Sequence, residues 1–122
     1  MTETLVKIYG IESCDQVRRA RGWFKARGIK VSFHDYRKHG LDACLLERWL
    51  SHLPWNGLLN RRGLAWRKLD PQTRVGIVDK SSALEAMLGD PLLVKRPVIE
   101  VGDRLLVGFS DEVLNATFES KS

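Results

Sequence analysis

The segment Lys7-Ile8-Tyr9-Gly10-Ile11-Glu12-Ser13-Cys14-Asp15-Gln16 decides how the rest of the chain is interpreted. Its apolar first half predicts a short strand that ends at Gly10, and its polar second half predicts a helix that opens at Ser13. Ser13 and Gln16 fit the capping box, in which each side chain binds a backbone amide at the helix start. The pattern therefore places Cys14 at the first helical position, among free amides and at the positive end of the helix dipole.

A cysteine in such a place is stabilised as the thiolate, which is the nucleophilic form of the residue. We therefore predict that Cys14 is a nucleophile. The alternative is that Cys14 is a small buried apolar residue, although it lies between Ser13 and Asp15 in a turn rather than on an apolar face. The carboxylate of Asp15 opposes ionisation of the thiol, and Arg18, one helical turn later, can offset that effect.

Length and composition are those of an ordinary globular domain. The 122 residues are 43% hydrophobic and carry a formal net charge of +5, so one domain with its own core is expected. The positive charge suits an anionic small molecule or an acidic protein surface, or serves solubility. The sequence has no signal-peptide pattern and no apolar run of about 20 residues. We expect a cytoplasmic monomer that binds neither membranes nor nucleic acid.

The two cysteines, Cys14 and Cys44, are 30 positions apart and neither belongs to a C-x-x-C pair. With only three scattered histidines, the chain lacks the ligand spacing of a zinc site, and we predict no metal. Cys44 lies at the edge of an apolar helical stripe and is predicted to be a packing residue; the alternative is a resolving thiol.

The order of elements predicts a β-α-β unit, then a helical region, then a hairpin and a last helix. Strands at residues 4–9 and 30–36 flank a helix at 14–26, so the strands should be parallel. The predicted apolar stripe of this helix comprises Val17, Ala20 and Phe24. Cys14 then lies at the carboxyl end of a parallel strand, where open α/β sheets place their sites. Strands at 97–101 and 104–108 form the hairpin.

The loops and capping residues complete this prediction. We predict a polar loop at 37–40 and a helix that begins after Asp42. A helix with proline at its first position follows Asp70, and a capping box at Ser82 opens another helix. Ser110 should cap the last helix, whose predicted apolar face comprises Val113, Leu114 and Phe118.

A basic turn lies in the helical region, where Arg61 and Arg62 precede a glycine. Adjacent guanidinium groups can bind an anion through paired hydrogen bonds. A solvated basic loop explains the same residues equally well.

Six motifs in the same order resemble the arsenate reductase (ArsC)-like family, in its YffB branch, which is related to Spx and MgsR. The resemblance runs from about residue 5 to residue 118. It implies an α/β, thioredoxin-like fold with a four-stranded mixed sheet, in a single domain of residues 1–122 with a helical insertion at about 41–90. The motifs are GIESCD at 10–15, HDY at 34–36, LLNRRG at 58–63, WRKL at 66–69, KRP at 95–97 and GFSD at 108–111.

The resemblance also implies roles for individual residues. Cys14 matches the nucleophile, which in this family works with glutathione as cosubstrate. Arg96 matches the arginine before the family's cis-proline, and Pro97 matches that proline. Arg62, or else Arg61, lies in the region of a second anion-binding arginine.

This chain departs from the arsenate reductases after its last strand, where Gly108-Phe109-Ser110 stands in place of a third arginine. Three arginines around the thiolate would bind an arsenate oxyanion, and this chain has two candidate arginines at most. The leading hypothesis is therefore a glutathione-dependent thiol reductase that uses one cysteine. The alternatives are a glutathione-coupled arsenate reductase and a non-catalytic, Spx-like protein-binding regulator, although the C-x-x-C switch of that branch is absent.

Overall fold

The computed structural model describes residues 5–119, in two compact units. Among the described residues, the first unit comprises 5–35 and 96–119, and the second comprises Tyr36–Lys95. The second unit contains the predicted insertion. Thr4, the predicted start of the first strand, lies outside the described residues.

The first unit is built on a four-stranded mixed sheet in the order β2-β1-β3-β4. Strand β1 (Val6–Gly10) runs parallel to β2 (Ser32–Asp35) and antiparallel to β3 (Val98–Val101), which pairs with β4 (Arg104–Val107). Two helices, α1 (Asp15–Ala26) and the C-terminal helix (Asp111–Glu119), complete the unit. The predicted mixed sheet is thus confirmed, with β2 shorter than the predicted 30–36.

One hydrophobic core joins this sheet to α1 and the C-terminal helix. Apolar residues at helical spacing on α1 meet the alternate residues of β1 and β3 that point to the same face. The predicted stripe of α1 is confirmed, but Val113, predicted on the apolar face of the C-terminal helix, is 47% exposed because Leu114 occupies the buried position. The buried members are Val6, Ile8, Val17, Ala20, Trp23, Phe24, Ile99, Val101 and Leu114.

The second unit is made of six short helices and a 3-10 turn at Pro91–Leu93. The helices are α2 (Tyr36–His39), α3 (Ala43–Leu50), α4 (Trp55–Leu58), α5 (Leu64–Lys68), α6 (Pro71–Val75) and α7 (Lys80–Gly89). The C-terminal helix is therefore α8. The buried apolar residues of the second unit include Leu46, Trp49, Leu58, Met87 and Leu93.

Three sequence predictions in the second unit need correction. Residues 37–40 are not a polar loop: α2 forms there and ends where the Gly40 amide donates to the Tyr36 carbonyl, 2.9 Å away. Cys44 is exposed rather than a packing residue, because α3 buries Leu46 and Trp49 on another face. Helix α7 begins three residues earlier than predicted, after Asp79, so Ser82 is the partner in the capping box rather than its first residue.

Other predicted helix ends are confirmed. The Asp42 carboxylate accepts from the Leu45 amide at 2.8 Å, and Asp70 accepts from Thr73 at 2.7 Å with Pro71 in the first helical position. The Ser110 hydroxyl accepts from the Val113 amide at 3.3 Å. No helix among residues 5–119 is both long and apolar enough to cross a membrane.

The cap of α7 makes stability depend on pH. The Ser82 backbone amide, 2.9 Å from the Asp79 carboxylate, holds the pKa of that carboxyl below its ordinary value of 3.8. A lowered folded-state pKa adds stability above the unfolded-state value, and that stability is lost as the pH falls through the folded-state pKa. We expect Asp79→Ala to lower the free energy of unfolding at pH 7, and the difference from the wild type to narrow below about pH 3.8.

Urea unfolding at a series of pH values measures this difference. Glu85→Ala, an exposed change on the same helix, is the control and should show no comparable loss at neutral pH. A deficit of Asp79→Ala that stayed constant down to acid pH would contradict the electrostatic explanation.

Candidate active site

Cys14 is the N-cap residue of α1 rather than its first helical residue. Its backbone is extended (φ −76°, ψ 128°), and its carbonyl accepts the first helical hydrogen bond, from the Arg18 amide at 3.0 Å. The Cys14 amide instead closes a turn onto the Ile11 carbonyl, also at 3.0 Å. The predicted Ser13 cap is thus wrong by one residue, because this turn keeps Ser13 outside the helix.

The N-cap position still places the sulfur at the start of α1. The first backbone amides of the helix are free at that end, and the helix dipole is positive there, but the Cys14 side chain makes no capping hydrogen bond. Cys14 is half-buried and packs against the edge of the first unit's core. The next residue, Asp15, pairs with Arg19 at 3.2 Å and with Arg18 at 3.8 Å. Two cations therefore balance the one carboxylate adjacent in sequence to the thiol.

Asp35 holds the loop that precedes Cys14. This residue ends β2 opposite Gly10 of β1 and is only 5% exposed. Its carboxylate accepts a hydrogen bond from the Glu12 amide at 3.1 Å. Asp35 is thus a positioning residue that sequence reasoning missed, since the sequence showed it only as part of the HDY motif at 34–36. The available signal was a carboxylate at the end of a predicted strand of the sheet, where an anionic acceptor is costly to bury without donors.

The segment before β3 brings Arg96 and Pro97 to the same end of the sheet. The Arg96–Pro97 peptide bond is cis, and the next residue, Val98, pairs with Tyr9 near the carboxyl end of β1. Gly10 lies against Arg96, since a Cβ atom on Gly10 would be 3.6 Å from the Arg96 Cβ. Cys14, Arg96 and Pro97 therefore belong to one edge of the first unit, although they are more than 80 positions apart in the chain.

Arg61 and Arg62 lie in the second unit, on the exposed surface just before α5. The Arg61 guanidinium lies 5.3 Å from the ring centre of Trp55 and 5.8 Å from that of Trp66. The backbone amide of Arg62 donates to the Asn60 side chain at 3.0 Å, which fixes the turn. Within residues 5–119, no group of three or more histidine, cysteine, aspartate or glutamate side chains could hold a metal ion.

The sheet order and the site together define the class of this protein. A β-α-β unit, a cysteine at the first β-to-α turn and a cis-proline that leads into an antiparallel hairpin form a thioredoxin-like fold. The model of the ArsC family matches residues 9–117. The chain belongs to the ArsC family, as the motifs predicted.

Two solved structures agree with this assignment, and one relative is similar over most of the chain. The chain is similar to the solved structure of the YffB (PA3664) protein, with a TM-score of 0.86, 40% identity and coverage of 91% of this chain and 96% of the other. An arsenate reductase (ArsC) related protein from Brucella melitensis is 46% identical, with a TM-score of 0.75 and 98% coverage of both chains. A protein of Haemophilus influenzae is 36% identical over 93% of this chain and 99% of its own length.

Proposed function

We propose that this protein is a glutathione-dependent thiol reductase in which Cys14 is the nucleophile. The observation that carries the proposal is the position of Cys14 at the start of α1, on the same edge of the sheet as Arg96 and the cis-proline. Membership of the ArsC family, with arsenate reductase-related structures among its similar proteins, supports a thiol reductase in general.

The reaction proceeds by two thiol–disulfide exchanges. In the first, the Cys14 thiolate attacks the glutathione sulfur of a mixed disulfide, a Cys14–glutathione bond forms, and the substrate leaves as a thiolate that takes a proton from water. In the second, the thiolate of a free glutathione attacks the glutathione sulfur on Cys14. Glutathione disulfide leaves and Cys14 is released as the thiolate. The substrate sulfur is thus reduced, and the one incoming glutathione is oxidised as it joins the glutathione unit that came from the substrate.

An external thiol is needed for the second step because Cys14 has no C-x-x-C partner. Glutathione fits this role through its charge. In our proposal, Arg96 pairs with one of its carboxylates and the backbone beside Pro97 pairs with its peptide groups. Arg62, with Arg61 as the less favoured choice, is the proposed second carboxylate partner.

The test is to supply the purified protein with a glutathionylated peptide and reduced glutathione, and to follow the formation of glutathione disulfide. We expect turnover, and in the absence of reduced glutathione we expect one glutathione per protein, located on Cys14 by peptide mass mapping. A parallel reaction with arsenate in place of the peptide tests the alternative reductase. Turnover with arsenate but not with the peptide, or glutathione located elsewhere, would overturn the proposal.

A further inference from the structure

A basic groove lies along α1, beyond the site already described. It is a cavity of about 440 Å³ in the first unit, formed by the exposed side of α1 and the segment that connects α1 to the edge strand β2. Residues at i, i+3, i+4 and i+7 of α1 share this side of the helix. The lining residues are Arg18, Arg21, Gly22, Lys25, Ile29 and Val31.

The groove combines uncompensated positive charge with an apolar floor. Arg18 pairs with the Asp15 carboxylate at 3.8 Å, but none of the carboxylates described between residues 5 and 118 pairs with Arg21 or Lys25. Ile29 and Val31 are half-buried and pack against the core of the first unit. Gly22 has no atom within 4 Å of where its Cβ would lie, so the absence of a side chain there leaves the groove open between the cations.

This combination fits an acidic peptide segment better than a nucleic acid. Single-stranded nucleic acids need aromatic faces on which bases can stack, and the nearby Phe33 ring is covered by the Arg21 guanidinium, 4.3 Å from its centre. Glutamate or aspartate side chains would instead complement Arg21 and Lys25, while an apolar residue of the same segment would cover Ile29 and Val31.

We propose that this groove binds an acidic segment of a substrate protein, the same protein whose disulfide reacts with Cys14. That the bound protein is a disulfide substrate rests on the proposed function. That an acidic segment binds the groove does not. Because α1 rises about 1.5 Å per residue, the groove lies roughly 6 to 16 Å from Cys14 along the helix. An extended chain covers that distance in about two to five residues. The preferred substrates therefore carry acidic residues two to five positions from the reacting cysteine.

The binding test uses a fluorescein-labelled peptide that has serine in place of the reacting cysteine, with four glutamates and one leucine in the predicted positions. Anisotropy should show binding that weakens as salt is added and is lost when glutamine replaces the glutamates. The double variant Arg21→Glu/Lys25→Glu should weaken binding by about tenfold. Lys68→Glu/Lys80→Glu makes the same change in net charge in the second unit and should leave the affinity unchanged.

A second pair of variants tests the shape of the groove without changing charge. Gly22→Leu fills the space between the cations and should weaken binding by about tenfold. Gly89→Leu, at an exposed helical glycine with similarly open surroundings, should have no effect. Equal affinity for the glutamate and glutamine peptides, or no loss in either groove variant, would overturn the proposal. Displacement of the peptide by a short RNA at lower concentration than by unlabelled peptide would also overturn it.

Turnover separates this proposal from the proposed function. With glutathionylated peptides, kcat/KM should be about tenfold higher for glutamates two to five positions from the cysteine than for glutamates twelve to fifteen positions away. Arg21→Glu/Lys25→Glu should remove this preference. If neither peptide turns over but the acidic peptide still binds, the proposed reductase function is contradicted and the proposed binding groove is supported. If both peptides turn over with equal kcat/KM, the proposed role of the groove in substrate binding is contradicted and the proposed reductase function is supported.

Discussion

Replacing Cys14 with serine is expected to abolish reduction of the glutathionylated peptide, with a fall in kcat on the order of a thousandfold or more. The change exchanges a sulfur that ionises for a hydroxyl that does not, so neither thiol–disulfide exchange can begin. Serine is also a favoured N-cap residue. The variant should therefore fold at least as well as the wild type, and loss of activity cannot be attributed to unfolding.

Cys44→Ser is the matched control, because Cys44 is exposed and lies in the second unit. Steady-state turnover and thermal unfolding should be measured for both variants. We expect Cys44→Ser to retain wild-type turnover. Substantial turnover in Cys14→Ser would show that Cys14 is not the nucleophile. A comparable loss in Cys44→Ser would instead support Cys44 as a resolving thiol.

Gly10→Ala is expected to destabilise the protein by about 1 to 3 kcal/mol through overpacking. A Cβ atom on Gly10 would lie 2.5 Å from Cγ2 of Val17, which is fully buried and belongs to α1. Valine in a helix has one strongly preferred rotamer, so the side chain cannot turn aside cheaply. Gly10 is not among the glycines with positive φ, and the expected cost therefore arises from space rather than from backbone conformation.

Urea unfolding of the single and double variants tests this explanation. Val17→Ala alone should cost about 2 kcal/mol through the cavity it creates, but Gly10→Ala should then cost much less in that background. Gly22→Ala provides a control in α1, where removing a helical glycine with open surroundings should raise stability by about 0.5 to 1 kcal/mol. Additive effects at Gly10 and Val17 would rule out the contact as the cause.

The agreement between sequence and structure is closest where a pattern is local. The stripe of Val17, Ala20 and Phe24 on α1, the hairpin around Gly102, and the caps at Asp42 and Asp70 were all predicted from neighbouring residues. These features depend on hydrogen bonds and periodicities that span a few residues, so the local sequence is sufficient to specify them.

The errors arise where two local solutions compete. Ser13 and Cys14 could each begin α1, and the turn from Cys14 to Ile11 favours the later start. Asp79 and Ser82 could each cap α7, and the reciprocal hydrogen bonds favour Asp79. Cys44 was assigned to a buried face because a short helix leaves the edge of its apolar stripe ambiguous.

The sequence by itself determined the order of the four strands with helices α1 and α8, the ArsC family and the choice of Cys14 as the candidate nucleophile, since each depends on residues close together in the chain or on motifs in a fixed order. Only the tertiary structure decided that Asp35 holds the Glu12 amide, that Arg96 lies against Gly10, and that the cations of α1 border an apolar groove. The first two contacts join segments more than twenty residues apart, and the groove forms only when the segment after α1 packs back against the helix. The geometry of all three is set by strand pairing and core packing rather than by local preference.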